Sequence, residues 1–430
     1  MNAARVFMDV SYTRTQHVHV GITRTVRRLE QELRQLTQSG GTEFATVSFH
    51  TGGFRLAPGA LASSATQGVA RASDKPAARL FRWITGAFFR KVVVAALCLP
   101  WSFVSRVWAT TSAWTFDFLA RNEPAVEFRS GDVLLLFDAS WNYPVWIAAR
   151  RARQQGARVV LLMYDLIPLR HPQFCFALVP HVFRLWLDRM LPLADGVVCI
   201  SHATEQDLRR FAAENGSALP ATGHFRLGSD PIRTSGLAGS VRPELEAFVQ
   251  APGPCFAAIG SFEPKKNYGF LVKVFEHLWQ RGETARLLIM GRESAECAEL
   301  IAGLRRHLEQ GRRLLTLFDA SDAEVAYAYG HCRALIFPSM AEGFGLPLVE
   351  ARTRGCRVIG SDLPVFSELA DAGVTLYPAG SHAELERRIL ELTGPQPDTK
   401  PALMEPFTWQ DSARQCLQRI DALLPRQALP

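Results

Sequence analysis

The chain has 430 residues, of which 48% are hydrophobic and 21% are charged, and its formal net charge is +7. This length exceeds what one hydrophobic core usually supports, so we expect two domains, and the hydrophobic content excludes a disordered chain. A basic balance suits anionic lipid or polyphosphate ligands, and because the sequence carries no nucleic-acid recognition motif we do not expect nucleic acid as a partner.

The N-terminal half alternates short apolar runs with stretches of helical periodicity. Alternation of this kind builds a parallel sheet covered by helices, so residues 1–235 are expected to form a Rossmann-like domain. Strands are predicted at 5–10, 44–49, 133–137, 159–163 and 197–200, and helices over 22–36, 145–154, 182–191 and 204–213.

Residues 76–125 interrupt the alternation as a basic and aromatic insertion. Within it, Trp and Phe residues are interleaved with Arg and Lys over 80–114, and the longest uncharged run, 92–105, is shorter than the ~20 residues that span a bilayer. One interpretation is an amphipathic element that lies on an anionic membrane surface. The other is a helical hairpin folded into the N-terminal domain, or a self-association surface, and the sequence favours neither.

After a polar stretch at 228–241 the alternation begins again, which predicts a second Rossmann-like domain over 236–404. Ser321 and Glu324 are spaced as a capping box at the start of one helix. Residues 405–430 are too few for a third domain, and we expect a helix over 409–424 that packs back on the others. Strands are predicted at 256–260, 287–290, 314–318, 334–337 and 358–360, and helices over 268–280, 296–309, 322–329 and 382–392.

The segment 337–355, FPSMAEGFGLPLVEARTRG, reads as a strand end, a glycine loop and a helix that begins near Leu346. Gly343 and Gly345 allow the backbone to approach a ligand closely, and the helix N-terminus favours a phosphate. Because the carboxylates of Glu342 and Glu350 would repel a phosphate, hydroxyl groups are their expected partners.

Glu342-x7-Glu350, together with the intervening GFGLPLVEA, resembles the signature of glycosyltransferase family 4, whose members are retaining enzymes of the GT-B type. The resemblance implies an α/β fold with two doubly wound Rossmann-like domains facing across a cleft, the first binding the acceptor and the second the nucleotide sugar. It also implies that Glu342 contacts the donor sugar, that Glu350 holds the ribose, and that Gly343, Phe344, Gly345 and Leu346 line the donor site.

The run 259–267, IGSFEPKKN, resembles the same family's phosphate-binding turn. The resemblance places Ser261 and Lys265 at the donor and assigns Lys266 to the diphosphate. A fixed cation at this point would stabilise the charge that the leaving diphosphate gains in the transition state. The alternative, a solvated Lys pair at a helix start, is disfavoured because the helix dipole repels cations there.

Three weaker resemblances lie in the N-terminal half. Gly21, before the first long helix, is similar to a glycine turn that meets the donor diphosphate. Tyr164 stands where the family often has a His that contacts the sugar, and the adjacent Asp165 either binds sugar or acceptor hydroxyls or caps the following turn. Ser201 begins a family-like helix and is expected to act as its N-cap.

The resemblance implies transfer of a hexose, with mannose or a related 6-deoxyhexose from a GDP donor preferred over UDP-sugars. The acceptor would be a lipid-linked oligosaccharide of a bacterial surface polysaccharide, such as O-antigen, capsule or exopolysaccharide. The transfer would depend mainly on Glu342, Lys266 and Asp165, and no cofactor or metal is expected, since no Asp-x-Asp motif is present.

The eight cysteines form no C-x-x-C pair and residues 1–9 do not resemble a signal peptide, so a cytoplasmic protein at the inner membrane face is expected. Three alternatives stay open. One is an inverting transferase that uses Asp165 as its base, another is a nucleotide-sugar epimerase, and the third is a non-catalytic scaffold of a polysaccharide assembly complex.

Overall fold

The computed structural model describes residues 5–16, 21–57, 101–229, 241–394 and 401–424. The chain divides into two compact units. Unit 1 comprises Met1–Leu227 and Trp409–Pro430, and unit 2 comprises Gly228–Thr408. The sequence predicts a boundary after residue 235 and a separate tail from residue 405, whereas unit 1 ends at Leu227 and resumes at Trp409.

Unit 1 is built on a seven-stranded sheet in the order β3-β2-β1-β4-β5-β6-β7, in which every pair is parallel except β2 and β3. Its central strands are buried on both faces, which explains why they read as continuous apolar runs. The sequence pattern does not predict β3, which has two residues, or β7, which reads Ala-Thr-Gly-His. The strands are β1 (Arg5–Asp9), β2 (Glu43–Ser48), β3 (Arg55–Leu56), β4 (Val133–Leu136), β5 (Arg158–Met163), β6 (Gly196–Cys199) and β7 (Ala221–His224).

Helices cover this sheet through their apolar faces. The first of them buries Val26, Leu29 and Leu33, which recur at helical spacing. The predicted N-cap at Ser201 is confirmed, because the Ser201 side chain accepts a hydrogen bond from the Thr204 amide at 3.1 Å. The helices are α1 (Ile22–Ser39), α2 (Trp101–Ala120), α3 (Trp146–Gln154), α4 (Ile167–Arg170), α5 (Val179–Met190) and α6 (His202–Glu214).

Helix α2 is the part of the basic and aromatic insertion that the structure describes. Val104 and Trp108 pack against Leu178 and Val182 at the start of α5, so this helix contacts the rest of unit 1, and whether it forms half of the predicted hairpin stays a prediction. Trp114, by contrast, is 62% exposed. Residues 76–100 of the insertion lie outside the described residues. Among the helices of the described ranges, none is both long and apolar enough to cross a membrane.

Unit 2 is built on a six-stranded, wholly parallel sheet in the order β10-β9-β8-β11-β12-β13. The five strands predicted for this half are all present, and the edge strand β13, which is less buried, is additional. The strands are β8 (Cys255–Ile259), β9 (Arg286–Met290), β10 (Leu314–Leu317), β11 (Ala334–Phe337), β12 (Arg357–Ser361) and β13 (Val374–Tyr377).

The helices of unit 2 begin and end at local signals. The predicted capping box of Ser321 and Glu324 is confirmed. The helix predicted over 296–309 is shorter, because its apolar contacts stop at Leu304 and Leu308 is 90% exposed. The helices are α7 (Pro243–Gln250), α8 (Tyr268–Gln280), α9 (Ala298–Arg305), α10 (Asp322–His331), α11 (Leu346–Arg352), α12 (Pro364–Leu369) and α13 (His382–Glu391).

The last helix, α14 (Trp409–Leu423), confirms the helix predicted over 409–424 and belongs to unit 1. It packs on α1, β6 and β7, and its Trp409 and Ile420 side chains are buried. The Ser229 amide donates a hydrogen bond of 2.8 Å to the Phe407 carbonyl, so the two ends of unit 2 lie side by side.

Candidate active site

The strand order of unit 2 reverses between β8 and β11. Strands β9 and β10 follow β8 outward in one direction, and β12 and β13 follow β11 in the other. In open parallel sheets, ligands bind at the carboxyl ends of the strands at such a switch point. The loops after β8 and β11 are joined by a hydrogen bond of 2.8 Å from the Met340 amide to the Lys265 carbonyl.

Lys266 and Glu342, which lie in these two loops, form a buried ion pair. The Lys266 Nζ lies 2.5 Å from Oε1 of Glu342, and the two side chains are 11% and 8% exposed. Ser339 donates a second hydrogen bond to the same oxygen at 2.8 Å. Burial acts to raise the pKa of Glu342, but the charges of Lys266 and Lys265 outweigh it and lower this pKa below its usual value. The structure therefore holds an ionised carboxylate and an ammonium group together at the switch point.

In the glycine loop after β11, position 345 requires glycine because a larger residue would be strained and would clash with a neighbouring ring. This residue is the N-cap of α11 and has a φ of 111°, a left-handed conformation that favours glycine. A Cβ atom added here would lie 2.7 Å from Cε1 of Phe366. The buried Phe344 side chain and the buried Gly343 precede it, and Leu346 begins the helix. The predicted loop-to-helix transition is therefore present at the predicted residue.

Glu350 lies in α11 about one turn beyond its start and is 5% exposed. The Tyr329 hydroxyl of α10 donates a hydrogen bond of 3.3 Å to Oε2 of Glu350. Burial, followed by the charge of Glu350, raises the pKa of Tyr329 well above its usual value. Both acids of the Glu342-x7-Glu350 pattern thus lie in unit 2 and contact polar partners, and the ribose role of Glu350 stays a prediction.

Ser261 and Lys265 lie on either side of the turn after β8. Ser261 follows Gly260, and a Cβ atom added at Gly291 would lie 1.7 Å from the Gly260 carbonyl oxygen, so the chain after β9 packs tightly against this turn. The Lys265 Nζ lies 3.4 Å from a carboxylate oxygen of Glu263. Ser261, Lys265 and Lys266 thus lie in the one segment that follows β8, and their contacts with a donor stay predictions.

The site residues predicted in unit 1 lie at the starts of helices. Gly21 is the N-cap of α1 with a φ of 53°. The Tyr164 side chain is buried and donates a hydrogen bond of 2.6 Å to the Phe137 carbonyl. Asp165 accepts a hydrogen bond of 3.0 Å from the Ile167 amide, which is the contact that the capping alternative describes. Contacts of Gly21 and Asp165 with a ligand stay predictions.

A pair of buried acids in unit 1 was not predicted. The strand order of its sheet reverses between β1 and β4, and Asp9 ends β1 while Asp138 follows β4. Asp9 accepts hydrogen bonds from Ser11 and Tyr143. Burial and the nearby charge of Asp138 raise the pKa of Asp9 to about 7. The sequence signal is an Asp at or just after the end of two apolar strands, which by itself resembles an ordinary turn start.

Comparison with known sequences finds a family match within unit 2. Residues 248–398 match the family described as "Glycosyl transferases group 1". The chain is 29% identical over 317 residues to the serotype-specific mannosyltransferase WbdA of Escherichia coli, and the match covers 71% of this chain and 38% of WbdA. It is 31% identical over 118 residues to the O-antigen chain mannosyltransferase RfbU of Salmonella typhimurium, a match that covers 27% of this chain and 32% of RfbU. The chain thus matches less than half the length of these relatives.

Solved structures share the fold over almost the whole chain. Sucrose-phosphate synthase from Thermosynechococcus elongatus superposes with a TM-score of 0.55 at 16% identity, covering 98% of this chain and 94% of that one. Anabaena HepE, solved in complex with UDP and glucose, gives a TM-score of 0.53 at 14% identity and covers 98% and 97% of the two chains. Together with the two parallel sheets, these likenesses confirm the predicted GT-B fold class. Residues 248–398 therefore form a glycosyltransferase group 1 domain, in a chain homologous to the mannosyltransferases WbdA and RfbU.

Proposed function

We propose that this protein transfers a hexose from a nucleotide-diphosphate sugar to a lipid-linked oligosaccharide during synthesis of a bacterial surface polysaccharide. The observation that carries the proposal is the buried ion pair of Lys266 and Glu342 at the switch point of a glycosyltransferase group 1 domain. A buried charge pair is costly to maintain for stability alone, since a pair of apolar side chains often stabilises a fold as well or better. A ligand with both phosphate and hydroxyl groups can bind both side chains, the phosphate at Lys266 and the hydroxyl groups at Glu342.

In the proposed reaction, the ammonium group of Lys266 leaves Glu342 and pairs with the diphosphate of the bound donor. The Glu342 carboxylate, no longer paired with Lys266, then accepts hydrogen bonds from the hydroxyl groups of the sugar. An ionised carboxylate is a strong acceptor for such bonds. The N-terminus of α11 and the open backbone at Gly343 and Gly345 lie beside the phosphates, and Glu350 holds the ribose. As the glycosidic bond breaks, Lys266 stabilises the charge that develops on the leaving diphosphate.

The proposed stereochemistry is the one that the resemblance to retaining enzymes implies. The acceptor hydroxyl attacks on the face from which the diphosphate leaves, and the departing phosphate oxygen takes its proton, so the transfer retains the anomeric configuration. No metal ion is needed at the reacting atoms in this scheme, because Lys266 and the helix N-terminus supply the positive charge.

The donor and acceptor are proposed from the relatives and from the surface. WbdA and RfbU are both mannosyltransferases, and RfbU acts on an O-antigen chain, which favours GDP-mannose as donor and an O-antigen-like acceptor. The exposed Trp114 stacks on Phe118, with their ring centroids 6.2 Å apart, and the guanidinium of Arg121 lies 4.1 Å from the Phe118 ring centroid. Aromatic and basic groups together suit the headgroup region of a membrane that holds the acceptor.

A thermal-shift screen with GDP, UDP, ADP and dTDP tests the donor site. A nucleotide at 100 times its Kd should stabilise unit 2 by about 2.7 kcal/mol through mass action, and we expect GDP to give the largest shift. Lys266→Met should abolish this shift, whereas Lys273→Met, on the exposed side of α8, should preserve it. A shift that is equal in Lys266→Met and the parent chain would overturn the assignment.

Because Lys266→Met leaves the Glu342 carboxylate buried without its cation, loss of binding could reflect misfolding. The double variant Lys266→Met/Glu342→Gln removes both charges and should regain the parent melting temperature without regaining the nucleotide shift. With GDP-mannose and an isolated lipid-linked acceptor, NMR of the product then distinguishes retention from inversion at the transferred sugar.

A further inference from the structure

Three metal-ligating side chains converge where the end of α8 meets the start of α13. His277 lies in the last turn of α8, His382 is the first residue of α13, and Glu386 follows one turn later. The Oε2 atom of Glu386 lies 2.8 Å from Nδ1 of His277 and 3.6 Å from Nδ1 of His382. One ligand atom from each of the three residues lies within 4.8 Å of the others.

The two helices fix this arrangement. His382 and Glu386 are four residues apart on α13, so their side chains share one face of the helix. Helices α8 and α13 pack together, and the two imidazole rings lie 5.4 Å apart. The Glu386 side chain is 9% exposed, whereas those of His277 and His382 are 48% and 41% exposed. A carboxylate anchored below two solvent-accessible imidazoles leaves an open path for an ion from solvent.

Arg281, one turn after His277, is ion-paired with the other oxygen of Glu386, Oε1. The two oxygens of the Glu386 carboxylate therefore have different partners. Oε1 is held by the guanidinium, which sets the orientation of the group, while Oε2 faces the two imidazoles. Such outer partners commonly orient a ligating carboxylate.

We propose that His277, His382 and Glu386 bind one divalent transition-metal ion, with Zn²⁺ the best match. Two imidazoles and one carboxylate are a ligand set that Zn²⁺ accepts, with water in the remaining position. Tetrahedral Zn²⁺ with bonds of about 2.0–2.1 Å requires ligand atoms about 3.3 Å apart, and the two distances to Oε2, 2.8 and 3.6 Å, bracket that value. The ion would replace the hydrogen bond between the His277 imidazole and the Glu386 carboxylate.

This site is separate from the turn that holds Lys266 and from the glycine loop, so it does not take part in sugar transfer. Helix α8 starts two residues after Lys266, and α13 packs on β13 at the edge of the sheet. A metal ion here joins the far end of α8 to α13 and stabilises unit 2 against unfolding, because it binds the folded arrangement of ligands and not the unfolded chain.

The test uses the 430-residue chain without a tag. It is stripped with a chelator and titrated with ZnCl₂ by calorimetry, and bound zinc is measured by mass spectrometry after dialysis. We expect one zinc ion per chain and a higher melting temperature for unit 2. His382→Ala and His277→Ala should each weaken binding at least about tenfold. His331→Ala, which removes an exposed imidazole stacked on Tyr327 of α10, should bind zinc as the parent does.

Two further measurements separate a built site from incidental binding. Arg281→Gln removes the group that orients Glu386 and should weaken zinc binding. Co²⁺ should give the absorption bands of a low-coordinate site that disappear in His382→Ala. The proposal is overturned if the parent chain binds no zinc under these conditions, or if His382→Ala and His277→Ala bind it as tightly as the parent does.

Discussion

Buried carboxylates lie at the switch points of both sheets, and their charges are balanced in different ways. In unit 2, Glu342 faces Lys266, and the ammonium group keeps it ionised. In unit 1, burial raises the pKa of both Asp9 and Asp138, and the nearby charge of Asp138 raises that of Asp9 further. Two like charges in a buried site favour a shared proton. We therefore expect the free energy of unfolding of unit 1 to depend on pH near neutrality. Glu342 stays ionised in this pH range and contributes no such dependence in unit 2.

Asp9→Asn tests this difference. The pKa of Asp9 rises from 3.8 to about 7 on folding, so the folded state binds more protons than the unfolded state between these values. Stability should therefore fall as the pH rises from about 4 to about 7, and then level off, by a total on the order of a few kcal/mol. Asn keeps the oxygen that accepts from Ser11 and carries no titrating proton, so thermal unfolding of Asp9→Asn should show a flatter pH dependence.

Asp188→Asn is the matched control, since Asp188 is exposed and paired with Arg184 on the surface of α5. Its pH dependence should follow that of the parent chain. Equal slopes for Asp9→Asn and the parent between about pH 5 and about pH 7 would contradict a proton held by the Asp9 and Asp138 pair.

Sequence reasoning located Lys266 and Glu342 through a resemblance but did not foresee their ion pair. The two residues are 76 positions apart, and their contact depends on β8 and β11 being neighbours, which the order of elements along the chain does not specify. Asp9 and Asp138 were missed for the same reason. Each looks like a strand end by itself, and their pairing appears only when β1 and β4 lie side by side.

At the scale of elements, the start of α11 combines a glycine loop with a short helix. Its first turn contains Pro347, which has a backbone suited to that position, and Gly345 supplies the left-handed turn before it. These are local signals, so the sequence predicts this element at the correct residue. Edge strands and short helices lack such repeated signals, and β13, α7 and α12 were missed, although the two helices each begin at a proline.

Gly345→Ala should damage this element. The added Cβ would meet the Phe366 ring at 2.7 Å while the backbone has a φ of 111°, so we expect a loss of more than about 1 kcal/mol of stability and weaker nucleotide binding. Chemical denaturation and the thermal-shift screen measure both effects.

Gly303→Ala is the control, because Gly303 lies within α9 and a Cβ atom there meets nothing within 4 Å. Alanine at this position should stabilise the helix by up to about 1 kcal/mol. A Gly345→Ala variant as stable as Gly303→Ala would show that the loop can relax around the new methyl group.

At the scale of the whole molecule, the chain leaves unit 1 after Leu227 and returns to it at Trp409. The helical periodicity after residue 404 predicts α14, but an amphipathic pattern does not say which unit it covers. The structure shows that α14 covers unit 1, since it packs on α1, β6 and β7 and its Trp409 is 1% exposed. Unit 1 is thus made of two separate stretches of sequence.

Trp409→Ala should destabilise unit 1 selectively. Replacing a fully buried Trp typically costs about 3–5 kcal/mol, and none of the groups proposed to bind nucleotide or zinc in unit 2 lies on α14. Thermal unfolding with nucleotide present should show a lower transition for unit 1 and an unchanged one for unit 2. Trp114→Ala is the control, since Trp114 is 62% exposed, and it should leave both transition temperatures unchanged. An equal decrease of both transition temperatures in Trp409→Ala would contradict the prediction.

The return of the chain to unit 1 also has a consequence for biosynthesis. A ribosome must produce all of Gly228–Thr408 before α14 emerges, which takes on the order of 10–40 s at ~5–20 residues per second. During that interval the surfaces of α1, β6 and β7 that α14 will cover remain uncovered. Unit 2, whose ends meet at Ser229 and Phe407, is complete only when the interval ends. Unit 1 is therefore the unit that waits longest for its last element, and we expect its uncovered apolar surfaces to be the ones that most need protection by a chaperone.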